Sequence, residues 1–464
     1  MRITFGTEGW RAIMAEEFTF ANVRLVTQAI AETLKGKRPN RLVVGYDTRF
    51  LSAEFARAVA EVLSGNGFRV VVSTTAVPTC AVSRYVVAAR LPTGIMVTAS
   101  HNPPTYNGIK IKAAYGGSAT GDAVAAVERR IGKTVPKRVP FAEARAAGRI
   151  VEQDLMGLYL AGLRTFINLP AIRRWRGRVV VDSMHGTGGR IIEGLLAGGR
   201  CRVRTLRGEP DARFGGQAPE PIASHLGPLL SALKRGADVG IANDGDADRL
   251  GVIAPGGRWL NPGQVMCVLA THLVKNRRAS GAIVKTVSNT MMIDRLAEDL
   301  GLRLLEVPVG FKHVAKLMLE DDILIGGEES GGIGVKGYLP ERDGILNGLL
   351  VLEAMAVQRT SLTALMADLE RRYGRWAYGR QDLHLTMPQV EAMFARLSRR
   401  APAHLAGVPV VRVNALDGIK LIGRDDSWLL FRRSGTEPIV RIYAETPQPA
   451  RLSRLLAQGV RLAA

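Results

Sequence analysis

The chain has 464 residues, of which 47% are hydrophobic and 23% are charged, the balance of an ordinary globular protein with three or four domains. Its formal net charge is +21, and the basic residues are mostly arginines that stand singly or in pairs. This spread, together with only 6% aromatic residues, argues against a specific nucleic-acid partner and favours an arginine-rich surface that attracts small anions.

The cysteines and the apolar runs bear on where the protein works. Cys80, Cys201 and Cys267 form no short paired spacing, so we predict buried thiols rather than a disulfide framework or a cysteine metal site. The N-terminus lacks an apolar run behind a basic start, and no apolar stretch reaches the length of a membrane span. We therefore expect a cytoplasmic protein without a membrane partner. The sequence leaves open whether it is a monomer or a homodimer.

The first third of the chain alternates short apolar runs with helical patterns. Residues 41–47, 68–72 and 94–98 are typical of buried strands. Residues 52–63 have apolar side chains at helical spacing, with Ser52 as the expected N-cap. This order of strand, helix and strand predicts α/β units with largely parallel pairing.

The same pattern recurs through the middle of the chain. It predicts strands at 178–182, 238–242, 281–286 and 322–325, with helices near 190–196 and 291–300. The spacing predicts three successive α/β modules, at roughly 1–150, 155–255 and 256–370.

The C-terminal part differs from these modules. A helical stretch over 349–372 is followed by Tyr373-Gly374-Arg375, a plausible linker. Beyond the linker, strands are predicted at 428–431 and 440–444, and helices at 388–399 and 449–458. The predicted fold is thus three similar mixed-sheet α/β domains plus a smaller α+β domain over 375–464.

Ser100 lies in the segment Thr98-Ala99-Ser100-His101-Asn102-Pro103, which directly follows an apolar strand. Proline stops a helix from forming there, so the serine is expected on a rigid turn at the carboxyl end of a strand, where open α/β sheets bind ligands. A serine hydroxyl needs a base or a metal to become a good nucleophile. His101 and Lys110 are close enough in sequence to be acid or base groups. An ordinary polar turn remains an equal alternative for this segment alone.

Asp244, Asp246 and Asp248 are separated by single small residues, so an extended or looped backbone lets all three carboxylates converge on one cation. Mg²⁺ prefers such hard oxygen ligands, and three close carboxylates repel one another strongly without a cation. A calcium-binding EF-hand is excluded, because Arg249 occupies the position of its glycine and no glutamate closes the loop.

Two further segments are rich in glycine. The first, Gly326-Gly327-Glu328-Glu329-Ser330-Gly331-Gly332, places carboxylates and a hydroxyl between glycines that let a backbone approach a ligand closely. Such groups suit the hydroxyls of a sugar, although the segment alone is weak evidence. The second, at 432–438, begins with Arg432 and contains Ser434, Gly435 and Thr436. Guanidinium, hydroxyls and glycine N–H groups together form a nest suited to phosphate.

The four segments, in this order and at these separations, resemble the α-D-phosphohexomutase family, which includes phosphoglucomutase, phosphomannomutase and phosphoglucosamine mutase. The resemblance runs from Gly6-Thr7-Glu8-Gly9-Trp10-Arg11 to Arg441-Ile442-Tyr443. It implies four domains around a central cleft. It also implies interconversion of hexose 1-phosphate and hexose 6-phosphate, with glucose or mannose as the sugar, Mg²⁺ as cofactor and a hexose 1,6-bisphosphate as intermediate and activator.

The resemblance also implies a role for each matching residue. Ser100 looks like the phosphoserine and, with Asp244, Asp246 and Asp248, a Mg²⁺ ligand. Arg11 and Arg249 match arginines near the phosphoryl group, and His101 and Lys110 match positions implicated in proton transfer, with Lys110 as a candidate general base. The positions that match substrate contacts are Lys285, Lys312, Glu328, Ser330, Arg432, Ser434, Gly435 and Thr436.

Two other functions stay open at this stage. The preferred sugar could be glucosamine, although the Glu328 and Lys312 segments look more like those of glucose-handling members. A non-catalytic sensor of sugar phosphates could share the scaffold, although the serine, the aspartates and the phosphate loop are all present.

Overall fold

The computed structural model describes residues 3–6, 8–433 and 439–463, and within them the strands form four sheets that follow one another along the chain. Parallel and antiparallel pairs occur together in each of the first three sheets. The three cysteines are buried, as predicted.

The first sheet carries the serine turn. Its elements are β1 (Trp10–Ile13), α1 (Phe20–Thr33), β2 (Arg41–Tyr46), α2 (Ser52–Gly65), β3 (Arg69–Ser73), α3 (Thr79–Ala88), β4 (Thr93–Val97), β5 (Tyr106–Ala113), α4 (Gly121–Glu128), α5 (Phe141–Ala146) and β6 (Ile150–Gln153). The strand order is β1-β5-β4-β2-β3-β6. Because β2 and β4 are parallel neighbours, the loops that follow them meet at one edge of the sheet.

The predicted N-cap of α2 is wrong. Leu51 caps the helix with a left-handed φ of +58°, and Ser52 is the first helical residue. The Ser52 hydroxyl instead donates a 2.8 Å hydrogen bond to the Asp47 carboxylate. The same hydroxyl oxygen accepts a 3.0 Å hydrogen bond from Asn107 Nδ2, so Asp47 and Asn107 engage the hydroxyl in place of the helix N–H groups.

The second sheet carries the aspartate run. Its elements are α6 (Met156–Phe166), α7 (Leu169–Arg174), β7 (Arg178–Asp182), α8 (Ile191–Leu196), β8 (Arg202–Leu206), α9 (Gly227–Lys234), β9 (Val239–Asn243), β10 (Leu250–Ala254) and β11 (Arg258–Leu260). The strand order is β11-β10-β9-β7-β8. Since β9 and β10 pair antiparallel, residues 244–249 form the turn between them.

The third sheet carries the first glycine-rich loop. Its elements are α10 (Pro262–Lys275), β12 (Ala282–Thr286), α11 (Met292–Asp299), β13 (Leu304–Val307), α12 (Phe311–Glu320), β14 (Ile323–Gly327), β15 (Ile333–Val335), α13 (Gly344–Gln358) and α14 (Leu362–Tyr373). The strand order is β13-β12-β14-β15. The single helical stretch predicted over 349–372 is in fact two helices bent by 87°. The helix breaks at Arg359, where φ is +50°, and Ser361 caps the second helix.

The fourth sheet is antiparallel, with helices packed on one face. Its elements are β16 (Ala377–His384), α15 (Met387–Arg399), β17 (His404–Leu405), β18 (Val408–Asn414), β19 (Ile419–Gly423), β20 (Trp428–Arg433), β21 (Ile439–Thr446) and α16 (Leu452–Ala463). The strand order is β16-β21-β20-β19-β18-β17. Arg432 lies near the end of β20, directly before residues 434–438, which fall outside the described part of the chain.

A continuous apolar core joins the sheets to one another. It includes Val43 of the first sheet, Ile241 of the second, Ile283 of the third and Trp428 of the fourth. Shared burial of this kind holds neighbouring domains in a fixed relation, because separating them would expose apolar surface. By length and composition, no helix in the described residues could cross a membrane alone, and the bent pair α13 and α14 passes that test only when taken together.

Glu353 of α13 ties the second and third domains together. Its carboxylate accepts hydrogen bonds from Arg277 at 2.6 and 2.8 Å and from the Asn168 backbone N–H at 2.8 Å, and His272 Nε2 lies 3.0 Å away. Burial favours the neutral acid, but the bonds from His272 and Arg277 outweigh it and lower the pKa of Glu353 to about 2.

The Glu353→Gln variant tests this contact through its pH dependence. Below the ordinary glutamate pKa of about 4.3 the unfolded chain binds a proton that the folded chain does not, so the stability that Glu353 supplies is present above that pH. It is lost as pH falls from there to about 2. We expect the variant to be less stable than the wild type by about 2 kcal/mol at pH 7, and the gap to narrow toward pH 3.

Calorimetric midpoints at pH 7, 4.5 and 3 measure the gap. The exposed Glu320→Gln variant is the control and should follow the wild type at every pH. A gap for Glu353→Gln that keeps its size across this range would contradict the account.

Candidate active site

Ser100 is buried, three residues beyond the end of β4. Its backbone φ is +53°, a left-handed conformation that serine rarely adopts. Backbone strain of this kind is concentrated at functional sites in proteins. The hydroxyl donates a 2.7 Å hydrogen bond to Asp244 Oδ2 of the second domain. The backbone N–H donates to the Thr98 hydroxyl at 2.9 Å. The turn therefore aims the Ser100 hydroxyl directly at the aspartate run.

Arg49, which the sequence analysis did not single out, holds the serine turn in place. Its guanidinium donates to the backbone carbonyls of Ser100, Asn102, Pro103 and Tyr106 at 2.7–2.9 Å. Asp47 in turn accepts from Arg49 Nε at 3.1 Å and from the Thr98 hydroxyl at 2.6 Å. The signal available in the sequence was the polar Asp47-Thr48-Arg49 segment directly after a buried strand, beside the strand that leads to Ser100.

The three aspartates converge as the sequence predicted. Asp244, Asp246 and Asp248 are buried, and their ligand atoms all lie within 4.8 Å of one another. Asp246 Oδ1 and Asp248 Oδ1 make no hydrogen bond within the described residues. Burial, together with the neighbouring carboxylates Asp248 and Asp246, raises the pKa of Asp244 to about 8. A compact set of hard oxygen donors with unsatisfied atoms fits Mg²⁺.

Lys110 lies among these carboxylates. It follows from the alternation of β5 that Lys110 and Lys112 point to the same face of the sheet. Lys110 Nζ lies 2.6 Å from Asp246 and 2.7 Å from Asp248. Burial lowers the pKa of Lys110, but the carboxylates of Asp246 and Asp248 outweigh it and raise the pKa overall. Lys110 is therefore a protonated cation in this arrangement.

The other predicted catalytic residues surround the serine. His101 Nδ1 lies 3.5 Å from the Ser100 hydroxyl. Burial and the nearby cations Arg249 and Arg11 lower the pKa of His101, so its ring is neutral. Arg11 donates to the Asn102 side chain at 2.8 Å, and the Arg249 backbone N–H donates to Asp244 at 3.0 Å. The site therefore combines a neutral imidazole with several cations around one hydroxyl.

The predicted sugar-binding residues of the third domain are Glu328, Ser330 and Lys312. Glu328 is buried and accepts a 3.1 Å hydrogen bond from Arg342. Burial raises the pKa of Glu328. Ser330 and Lys312 are half-buried, and within the described residues their side chains form no hydrogen bond or ion pair. Both are therefore free to contact a ligand.

Arg342 is a second residue that the sequence analysis missed. It joins carboxylates from three domains: Glu8 of the first, Asp248 of the second at 2.6 Å and Glu328 of the third. It links the proposed metal site to the proposed sugar site. Its signal in the sequence was the charged segment Glu341-Arg342-Asp343 at the start of a strongly apolar helix.

Two of the predicted substrate contacts lie apart from this group. Lys285 is buried in β12, where it pairs with Asp294 and lies 3.8 Å from Glu306, so its contacts are not with the residues named above. Arg432 Nε donates to Asp417 at 2.7 Å. Ser434, Gly435 and Thr436 lie outside the described residues.

Comparison with known proteins covers the whole chain. The four phosphoglucomutase/phosphomannomutase domain families match it in order: alpha/beta/alpha domain I at 2–137, domain II at 158–257, domain III at 261–373 and the C-terminal domain at 395–462. A phosphoglucomutase/phosphomannomutase from Thermococcus kodakarensis is 30% identical, and the alignment covers 99% of this chain and 98% of the relative's length. The predicted architecture of three mixed-sheet α/β domains and a smaller C-terminal α+β domain is thereby confirmed.

Two further relatives differ in the sugar that their names imply. A probable phosphoglucosamine mutase from Methanosphaera stadtmanae is 30% identical, and the alignment covers 95% of this chain and 94% of the relative's length. A crystal structure of a provisionally named phosphomannomutase from Thermus thermophilus is 37% identical, with a TM-score of 0.88, and covers 100% of this chain and 99% of the other.

The Asp246→Asn variant tests whether the three aspartates bind a metal. Magnesium that binds only the folded protein stabilises it by about 2.7 kcal/mol at a concentration 100 times Kd. We expect the melting temperature of the wild type to rise with added MgCl₂ and that of the variant to rise little, because one of three ligands has lost its charge. The increment caused by magnesium is the measured quantity, since the substitution also removes a contact of Lys110.

Asp322→Asn is the control, because Asp322 is an exposed aspartate paired with Lys336 far from the cluster. Its response to magnesium should equal that of the wild type. An equal response in Asp246→Asn as well would remove the aspartates from any metal site.

Proposed function

The chain belongs to the α-D-phosphohexomutase family of isomerases, and we propose that it interconverts the 1-phosphate and 6-phosphate of glucose or mannose through a phosphorylated Ser100. The observation that supports the proposal most is the buried Ser100 hydroxyl, held 2.7 Å from Asp244 within a cluster of three carboxylates. Such a setting suits a phosphoryl carrier.

The reaction begins with phosphate already on Ser100. The sugar 1-phosphate binds with its phosphate near Arg432, and its free 6-hydroxyl attacks the phosphorus on Ser100. The new bond to the sugar oxygen forms as the bond to Ser100 Oγ breaks, the sugar hydroxyl loses its proton and Ser100 Oγ gains one. The resulting bisphosphate turns over in the cleft, and the 1-phosphoryl group then returns to Ser100 by the same chemistry.

The surrounding cations stabilise charge on the transferring group. Arg11 and Arg249 lie beside the Ser100 turn, and Lys110 lies at the carboxylates that Ser100 faces. Phosphoryl transfer depends mainly on such positioning and electrostatic stabilisation. Asp244, Asp246 and Asp248 would hold Mg²⁺, which when bound neutralises charge on phosphoryl oxygens. His101 is the candidate proton acceptor, since its ring is neutral and its Nδ1 lies 3.5 Å from the Ser100 hydroxyl. Lys110, the other predicted proton-transfer residue, is held protonated by Asp246 and Asp248, which suits a proton donor.

The sugar must bind in two orientations, one for each phosphate position. The Glu328 carboxylate accepts hydrogen bonds, the Lys312 ammonium donates them and the Ser330 hydroxyl does both. Together these groups can bind paired sugar hydroxyls in either orientation of the ring. The glycines that flank Glu328 leave room for the ring to approach the backbone. Relatives of similar identity named for glucosamine make glucosamine 1-phosphate the second substrate to examine.

Assays of the wild type and of Ser100→Ala test the proposal. The wild type should convert glucose 1-phosphate and mannose 1-phosphate to their 6-phosphates, with lower kcat/KM for glucosamine 1-phosphate. Ser100→Ala should lower kcat by about 10³-fold or more, because alanine offers no oxygen to carry the phosphoryl group.

Ser83→Ala is a matched control, because Ser83 is also buried and its hydroxyl makes no hydrogen bond within the described residues. It should keep wild-type activity. Full activity in Ser100→Ala would refute the phosphoserine. A wild-type protein that binds these sugar phosphates but converts none of them would indicate a sensor instead.

A further inference from the structure

A single carboxylate oxygen joins the third and fourth domains beside Arg432. Asp417 lies in the turn between β18 and β19 of the fourth domain. Its Oδ2 accepts a 2.7 Å hydrogen bond from Arg432 Nε within that domain and a 2.9 Å hydrogen bond from the backbone N–H of Val309 in the third domain. The same atom therefore contacts both domains at once.

The Val309 contact lies where the third domain presents Lys312. Gly310 follows Val309 with a φ of +131°, a conformation that favours glycine, and α12 begins at Phe311. Lys312 is the second residue of that helix. The position of the Asp417 oxygen therefore fixes the start of the helix that carries Lys312 relative to Arg432.

The Arg432 contact fixes the direction of the guanidinium. Because Arg432 bonds Asp417 through Nε, its two Nη groups point away from Asp417. Two Nη groups can bind one phosphate through two parallel hydrogen bonds. The side chains of Arg432 and Asp417 are only 11% and 24% exposed, so water screens the pair weakly. Burial opposes the charge of Arg432, yet the bond to Asp417 raises the pKa of Arg432 overall.

We propose that Asp417 is a positioning residue, which turns the Nη groups of Arg432 toward the distal phosphate of the substrate and couples that grip to the placement of Lys312. The inference rests on the proposed function, in which Arg432 and Lys312 hold the sugar phosphate. Asp417 touches neither Ser100 nor the aspartates in the described contacts, so it acts on the binding of substrate and not on phosphoryl transfer.

The Asp417→Asn variant separates these two effects. Asparagine keeps the shape of the side chain but removes the charge, which weakens the hydrogen bond from the Arg432 guanidinium. We expect KM for glucose 1-phosphate to rise about tenfold or more while kcat stays within about twofold of the wild type. In Arg432→Ala, adding Asp417→Asn should raise KM no further, because the lost charge acts on Arg432 and the amide oxygen of asparagine can still accept from the Val309 N–H.

The matched control is Asp426→Asn. Asp426 also joins the third and fourth domains, through a 2.6 Å ion pair with Arg295, but this pair is exposed and away from Arg432. The control should leave KM unchanged. Melting temperatures of all variants establish that each is folded. Asp417→Glu keeps the charge but displaces the oxygen, and we expect a severalfold rise in KM from it.

The outcomes distinguish this inference from the function on which it rests. A wild type without mutase activity would overturn the proposed function. An active wild type with an unchanged KM in Asp417→Asn or Asp417→Glu would overturn the inference alone. The inference would also be overturned if the effects of Asp417→Asn and Arg432→Ala on KM multiplied in the double variant. A loss confined to kcat and melting temperature would overturn it as well, because it would indicate a merely structural contact.

Discussion

Three buried carboxylates within 4.8 Å of one another are the constraint on which the rest of the site depends. Their mutual repulsion and loss of hydration would be prohibitive without nearby positive charge. Lys110 of the first domain and Arg342 of the third supply that charge, at 2.6–2.7 Å from Asp246 and Asp248. The aspartate turn of the second domain is thus stable only where its neighbours bring their cations to it.

This requirement explains why the site lies between domains. Each of the first three sheets delivers one chemical component at its edge: a hydroxyl from the first, carboxylates from the second and the proposed sugar-binding groups from the third. Arg342 links all three through Glu8, Asp248 and Glu328, and the shared apolar core holds them in register. The fourth domain shares this core through Trp428, and Asp417 adds polar contacts that place Arg432 beside the third domain.

Site residues whose interactions are local in sequence could be predicted, and those whose contacts are distant in sequence could not. Ser100 and the aspartates were predictable because each lies in a short segment whose chemistry is local. Arg49 and Arg342 were missed because most of their contacts span more than 50 positions of sequence, such as Arg49 with Ser100 and Arg342 with Asp248. Ser52 and the helix over 349–372 were predicted wrongly, because a buried carboxylate and a left-handed Arg359 override the local pattern. Lys285 was predicted as a substrate contact from the resemblance alone, and the structure shows it buried and paired with Asp294.

The central claim is that Ser100 carries the phosphoryl group, and mass spectrometry of the protein after turnover tests it most directly. The protein is incubated with glucose 1,6-bisphosphate, digested, and the peptide that contains Ser100 is fragmented. The account predicts one phosphoryl group on Ser100. When that group carries an isotopic label, excess unlabelled glucose 1-phosphate removes the labelled group to the sugar and leaves an unlabelled one on Ser100. A phosphoryl group on another residue, or one on Ser100 that the sugar phosphate cannot remove, would contradict it.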